Sequence, residues 1–138
     1  MQLNELYKIV GESALSKVNV NAYFPDNPYT ALQQKSVKYA SVCFAVESVR
    51  DEEEMRTFTG ILYYVDRLTN DGGNWMTVQD NAINTLWSII NDLRHTEGIS
   101  DVEPVYTMEL FRQRLSDYCG GAYVEINIQV PIDDCIEL

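Results

Sequence analysis

Histidine, cysteine and positive charge are scarce in this chain of 138 residues, and each scarcity argues against a class of function. The single histidine and three widely spaced cysteines, none in a Cys-x-x-Cys pair, indicate neither a zinc site nor a disulfide framework. The chain has 10 Lys and Arg residues and 21 Asp and Glu residues, which gives a net charge of −11. A chain with this negative charge repels phosphates, which disfavours binding to nucleic acid or to anionic lipid.

Long hydrophobic runs are also missing. No apolar stretch approaches the roughly 20 residues that a membrane helix needs. The opening MQLNELYKIV lacks the basic start and apolar core of a secretory signal. We therefore expect a protein that is cytosolic or assembles in a cytosol, with reduced cysteines and no membrane partner. A composition of 46% hydrophobic and 22% charged residues is typical of one globular domain over residues 1–138.

Two segments carry apolar residues at helical spacing. Residues 3–15 predict a short helix that Gly11 interrupts or ends, and residues 77–95 predict a longer one. Thr77 with Asp80 is typical of a capping box at the start of the second helix. Residues 18–36, rich in aromatics, Pro and Asn, are expected to form a loop with at most a short strand, and this segment is a candidate for a projecting arm.

In other segments apolar and polar residues alternate, as they do in β-strands. Residues 37–50 and 56–68 flank the acidic residues 51–54, which predicts a long β-hairpin with a solvated tip. Residues 105–112 are also extended, and residues 122–130 alternate strictly after a turn or bulge at the preceding glycines. The predicted fold is α+β, an antiparallel sheet of about four main strands with two helices packed on one face, followed by an acidic C-terminal tail at residues 131–138.

Catalytic patterns are weak. His95 lies at the end of the second predicted helix, where it suits the helix dipole, and neither Cys43 nor Cys119 has an evident histidine partner. Asp66, Asp71 and Asp80 would have to converge to support a metal-assisted hydrolase, which is the least favoured alternative. We predict that the protein is not an enzyme and has no catalytic, metal or cofactor residues.

Charge is distributed unevenly along the chain. After Arg114 there is no Lys or Arg, and the last residues include Asp133, Asp134 and Glu137. In a ring of copies these acids would face a channel through which DNA passes without adhering, because like charges repel. A solvated acidic tail is an equally good interpretation.

The segments PYTALQQKSVKYASVCF, YYVDRL, TNDGGNW, VQDNAINTLWSIINDL and FRQRLSDYCGGAYVEINIQV occur in this order and span nearly the whole chain. In this layout the chain resembles head-to-tail ring or tail-completion proteins, of the tail-terminator kind, from tailed bacteriophages. The similarity is closest to crAss-like and other Bacteroidales phages.

The resemblance implies a structural virion protein, assembled in the host bacterial cytoplasm. Identical copies would form a sixfold or twelvefold ring in the neck or tail, joining the portal-side connector to the tail and leaving a channel for DNA. On this hypothesis the interface candidates are Tyr23, Phe24, Tyr29, Asp51, Glu52, Glu53, Glu54, Arg56 and Trp75, and no cofactor is expected. The alternative is a small acidic cytosolic module that binds a basic protein.

Overall fold

The computed structural model describes residues 1–33, 38–103, 107–114 and 117–132, without the side chain of Arg114. In chain order the elements are α1 (Leu3–Leu15), β1 (Ala22–Phe24), α2 (Pro28–Ala31), β2 (Ser41–Glu52), β3 (Met55–Arg67), α3 (Trp75–Arg94), β4 (Asp101–Val102), β5 (Glu109–Arg114) and β6 (Tyr118–Pro131). The fold is α+β, as the sequence predicted.

The strands form one mixed sheet in the order β1-β2-β3-β6-β4, with β5 also paired to β6. The antiparallel pairings of β2 with β3 and of β3 with β6 are its centre. β5 pairs with the first part of β6 and β4 with a later part, each antiparallel. The prediction of about four antiparallel strands therefore holds for the centre of the sheet. It is wrong for the whole sheet, because β1 runs parallel to β2 and the described residues form six strands.

Helices α1 and α3 cover one face of the sheet, as predicted. Their apolar stripes supply a core with the inward-facing residues of β2, β3 and β6, and the alternation that predicted each strand is the one that fills this core. Its main members are Leu6, Val10, Ala14, Val42, Phe44, Leu62, Tyr64, Ala82, Leu86, Ile89, Ile90, Leu93, Val124, Ile126 and Ile128. Burial of these side chains is the main stabilising contribution to the fold.

The opposite face of the sheet is covered only at one end. There the short helix α2, absent from the prediction of two helices, buries Ala31 and Leu32 against Cys43, Val65 and Cys119. This second, smaller cluster leaves the rest of that face, called here the outer face, without a covering helix among the described residues.

Some predicted boundaries are wrong for local reasons. Helix α3 begins at Trp75, two residues before the predicted start, and its N-cap is Asn74, so Thr77 and Asp80 do not form a capping box. Gly11 is buried inside α1 and does not interrupt it. The glycines at 120 and 121 lie within β6, paired with β3, rather than before the strand.

The β2–β3 hairpin is confirmed, and the distal part of β2 is exposed. Residues 47–54 are all exposed, and Val49 keeps half of its surface in solvent although its cross-strand partner Phe58 is buried. A register shift between Val46 and Ser48 marks the point where the strand leaves the covered part of the sheet. The distal hairpin, defined here as residues 47–57, is thus exposed along its β2 part, whereas its β3 part, residues 55–57, also pairs with β6 at residues 129–131.

Candidate interaction surface

The outer face of the sheet carries a groove of about 350 Å³. It is lined by Pro28, Tyr29, Ile61, Tyr63, Leu110, Phe111, Gln113 and Tyr123, and is called here the aromatic groove. The lining comes from α2 and from strands β3, β5 and β6, so the residues are brought together by strand pairing and not by nearness in sequence.

The aromatic walls of the groove are set by the register of the sheet. Tyr63 and Tyr123 are directly opposite each other on β3 and β6, and their ring centroids lie 5.7 Å apart. Phe111 on β5 continues the row, with its centroid 6.3 Å from that of Tyr123. Tyr29 joins from α2, where its hydroxyl accepts a hydrogen bond from Gln113 Nε2 at 3.2 Å. Such tilted aromatic pairs stabilise one another and hold their faces in fixed positions.

Three glutamates stand beside these rings. Glu125 follows Tyr123 on the same face of β6, Glu109 is the cross-strand partner of Tyr123, and both are exposed. Burial raises the pKa of the Tyr63 hydroxyl, and the negative charge of nearby Glu47 raises that pKa further. The groove is therefore aromatic at its centre and negatively charged at its rim.

The acidic tip of the hairpin contains a close ion pair across the two strands. Arg56 donates to both carboxylate oxygens of Asp51, at 2.7 and 2.9 Å, and this hydrogen bonding lowers the pKa of Asp51. Glu52 ends β2, and Glu53 and Glu54 form the exposed two-residue turn. The predicted solvated turn is confirmed, and these five interface candidates lie together.

Tyr23 and Phe24 do not lie in a projecting arm. Both belong to β1, which pairs with β2, and the hydroxyl of Tyr23 donates to the carbonyl oxygen of Tyr7 at 2.8 Å. Phe24 packs against the cluster under α2. The arm prediction is wrong for these residues because their aromatic rings are used within the chain, and residues 34–36 of that stretch lie outside the described residues. Of the three aromatic candidates within residues 18–36, Tyr29 alone is mostly exposed, at 55%.

Trp75 occupies the first position of α3 and is half-buried. The guanidinium carbon of Arg112 lies 4.6 Å from the centroid of its ring, so one ring face is already covered by a cation from β5. Arg112 pairs with Gly120, which is opposite Asp66, so Trp75 lies near the end of β3 that is far from the hairpin turn. The structure thus does not gather all the predicted interface residues into one patch.

The carboxylates considered for a metal site remain separate. Asp71 accepts from Thr69 and from the amide of Gly73 in its own loop, and no group of three or more His, Cys, Asp or Glu in the described part of the chain is placed to hold a metal ion. Asp66 and Asp80 therefore do not join Asp71 in a metal site. The predicted channel residues Asp133, Asp134 and Glu137 lie outside the described residues.

The remaining candidates for chemistry are one histidine and two cysteines, and their side chains are hydrogen-bonded or buried. His95 Nδ1 lies 2.8 Å from the carbonyl oxygen of Asn91, at the end of α3 where the sequence placed it. Cys43 and Cys119 are free and buried, and burial raises the pKa of Cys43 to about 12. A thiol with such a pKa stays protonated near neutral pH and is a poor nucleophile.

The aromatic groove was not predicted from the sequence. The available signal was the alternation of β6, which sets Tyr123 and Glu125 on the face opposite its apolar residues, but the pairing that adds Tyr63 and Phe111 is long-range. None of the helices in the described ranges is long and apolar enough to cross a membrane. No protein-family model matches this chain, and no curated protein matches it.

Proposed function

We propose that this chain is a non-enzymatic structural subunit that assembles with identical copies into a ring in the neck or tail of a tailed bacteriophage. The ring would join the portal-side connector to the tail. The observation that carries the proposal is the distal part of β2, residues 47–52, which is exposed and, within the described residues, has β3 on one side and no strand from residue 48 onward on the other.

The distal hairpin offers an open sheet edge. Within the described residues β2 pairs on its outer side only with β1, at Ser41, Val42 and Cys43, which leaves residues 48–52 without a strand neighbour on that side. Unpaired backbone amides and carbonyls of an edge strand pair readily with a strand of another molecule. An edge on one subunit that meets a different surface on the next makes a head-to-tail contact, and such contacts close into rings when the rotation allows.

A ring that is stacked between neighbours needs further contact surfaces above and below. The solvent flank of α3 exposes Met76, Ile83 and Trp87, which recur at helical spacing and are exposed by 60, 38 and 47%. The aromatic groove lies on the opposite side of the sheet. Apolar residues concentrated on an exposed helix flank are typical of protein contacts, and two such surfaces on opposite sides suit a stacked subunit.

The charge of the chain suits a conduit for DNA. A subunit with a net charge of −11 adds a strongly negative wall to any channel that it lines. Phosphates are repelled from such a wall, so DNA passes as cargo without adhering. The acidic protein-binding module remains the alternative function, and it requires neither a channel nor a place in the particle.

The two functions differ in where the chain is found. Particles should be purified by density gradient from a culture in which the chain is expressed, and its copy number per particle measured by quantitative mass spectrometry against a major capsid peptide. The proposal expects six or twelve copies that remain after a high-salt wash. A chain that is absent from particles and present in the soluble lysate would support the module and overturn the ring.

A further inference from the structure

We propose that the aromatic groove binds an arginine side chain presented by a different protein. This inference concerns the groove alone and does not depend on ring formation or on a phage particle. It names the chemistry of one partner contact, a planar cation carried on a peptide.

The first support is the aromatic lining. Tyr29, Tyr63, Phe111 and Tyr123 surround a groove of about 350 Å³, and none of the four is fully buried. The face of an aromatic ring is negative, so it attracts a cation, and the planar guanidinium of arginine also stacks on it. The hydrogen bond between Gln113 and the Tyr29 hydroxyl holds the wall that α2 contributes to the groove.

The second support is charge complementarity at the rim. Glu109 and Glu125 lie on the same face of the sheet as Tyr123, and Glu47 is near enough to Tyr63 to act on its hydroxyl. A guanidinium that stacks in the groove has N–H donors left over at its edge, and a carboxylate accepts two of them in parallel. An uncharged apolar side chain would fill the groove but would gain nothing from these carboxylates.

The same chemistry already occurs three times among the described residues. The guanidinium carbons of Arg67, Arg94 and Arg112 lie 5.1, 5.7 and 4.6 Å from the ring centroids of Tyr39, Trp87 and Trp75. Arg67 combines the ring with a carboxylate, because it also donates to Asp117 at 3.2 Å. That pair of contacts is the arrangement that we infer for the groove.

A second copy of this chain is a poor source of the arginine. Each arginine whose side chain the structure describes already has a partner within the chain: Arg67, Arg94 and Arg112 stack on aromatic rings, Arg56 pairs with Asp51, and Arg50 lies 3.7 Å from Glu52. A copy with a net charge of −11 is also repelled from a negative rim. The occupant that fits is a basic segment of another protein.

The test is a titration of the full chain with a peptide. Two-dimensional NMR spectra of the backbone amides and aromatic rings are recorded at each step of the titration. The probe is the peptide acetyl-Gly-Arg-Leu-Arg-Gly-amide, and the control peptide has citrulline in place of both arginines, which keeps the shape and removes the charge. We expect shifts centred on Tyr63, Phe111 and Tyr123, and binding of the arginine peptide about fivefold tighter than that of the citrulline peptide.

Matched variants separate recognition by the groove from attraction to an acidic protein. Glu125→Gln and Tyr29→Leu should each weaken binding by about threefold, whereas Glu53→Gln at the hairpin tip makes the same charge change elsewhere and should leave affinity unchanged. Glu53, Glu125 and Tyr29 are exposed, so the variants should fold, which their amide spectra will verify. Equal binding of the two peptides, shifts centred on residues 51–54, equal loss from Glu53→Gln, or no groove shifts at millimolar peptide would each overturn the proposal.

Discussion

The ring of Tyr23 lies against Gly11 of α1 so closely that a Cβ atom at position 11 would be 2.7 Å from the Cδ2 and Cε2 atoms of the ring. The same ring is tethered, because its hydroxyl donates to the carbonyl oxygen of Tyr7 on that helix. Strand β1 and helix α1 are therefore fitted to each other. This contact explains why residues 22–24 form part of the sheet and do not project from it.

Gly11→Ala is expected to destabilise the protein by about 1–2 kcal/mol, because the overlap with a tethered ring exceeds the gain of about 1 kcal/mol that alanine brings to a helix interior. Chemical denaturation will measure the change. In a Tyr23→Leu background the ring is absent, so the same substitution should be neutral or stabilising. If Gly11→Ala stabilises the otherwise unchanged protein, the described packing of β1 on α1 is wrong.

A Cβ atom at Gly121 would overlap the carbonyl oxygen of Tyr64 on the adjacent strand, and the φ of Gly121 is 155°. Gly121→Ala should therefore cost about 3 kcal/mol or more, since backbone of the central strand β3 cannot move aside without disturbing its pairing. The neighbouring Gly120→Ala is the control. The three heavy atoms nearest to a Cβ at this position all belong to the Leu68 side chain, the closest at 3.1 Å, so this substitution should cost less than half as much in the same unfolding measurement.

The contact between the two long helices should respond to acid. Asp92 on α3 accepts from Lys17 Nζ at 2.6 Å and from Ser13 Oγ at 2.7 Å. Burial by itself would raise the pKa of Asp92, but these hydrogen bonds outweigh it and lower that pKa below the ordinary 3.8. A carboxylate whose pKa is lower in the folded state contributes stability above pH 4, and that contribution disappears as pH falls through the folded-state value.

Asp92→Asn should accordingly reduce the free energy of unfolding by about 0.5–1 kcal/mol at pH 7, a small amount because the carboxylate side chain is 43% exposed and screened by water. The difference between variant and unchanged protein should shrink as the pH is lowered below about 4. Denaturation curves at pH 7 and pH 3 measure both quantities. A deficit of the same size at both pH values would mean that the carboxylate charge contributes nothing to the contact.

Val49→Lys tests the role of the distal hairpin in assembly. The side chain is half-exposed on the part of β2 that has no outer strand neighbour among the described residues, so the substitution should change folding stability by less than about 0.5 kcal/mol. A charge at an interface of copies is costly to bury, and incorporation into particles should fall by at least about tenfold. The control is Val18→Lys, the same change at a fully exposed residue far from the hairpin in the chain, which should incorporate normally. Equal incorporation of the two variants would exclude position 49 from the interface.

The sequence predicts best the helices and strands in which apolar residues recur with a regular period over many residues. The helical stripe of α3 and the strict alternation of β6 each place their apolar residues in the core that the structure contains. The acidic residues 51–54 mark the hairpin turn because charges at this density cannot be buried. For these segments local pattern and tertiary packing agree.

The predictions that were wrong concern segments whose strand pairing is long-range, or polar side chains that make a different hydrogen bond from the predicted one. Strand β1 is only three residues long, and its parallel partner β2 begins 17 residues later, so no local sequence pattern predicts β1. Asn74 does not cap α3 with its side chain, which instead accepts from the amide of Thr69 and donates to the carbonyl of Arg67. Likewise the aromatic groove depends on which strands are neighbours, and this information is not present in any single segment.

The most direct test of the account is single-particle imaging of the particle neck at side-chain resolution, with this chain identified in the density. The account predicts a closed ring of six or twelve copies in which the distal hairpin of each subunit contacts the next and DNA density runs through the centre without contacting the wall. A particle whose neck lacks the chain, or a ring whose subunits meet only through other surfaces while residues 47–57 remain in solvent, would contradict it.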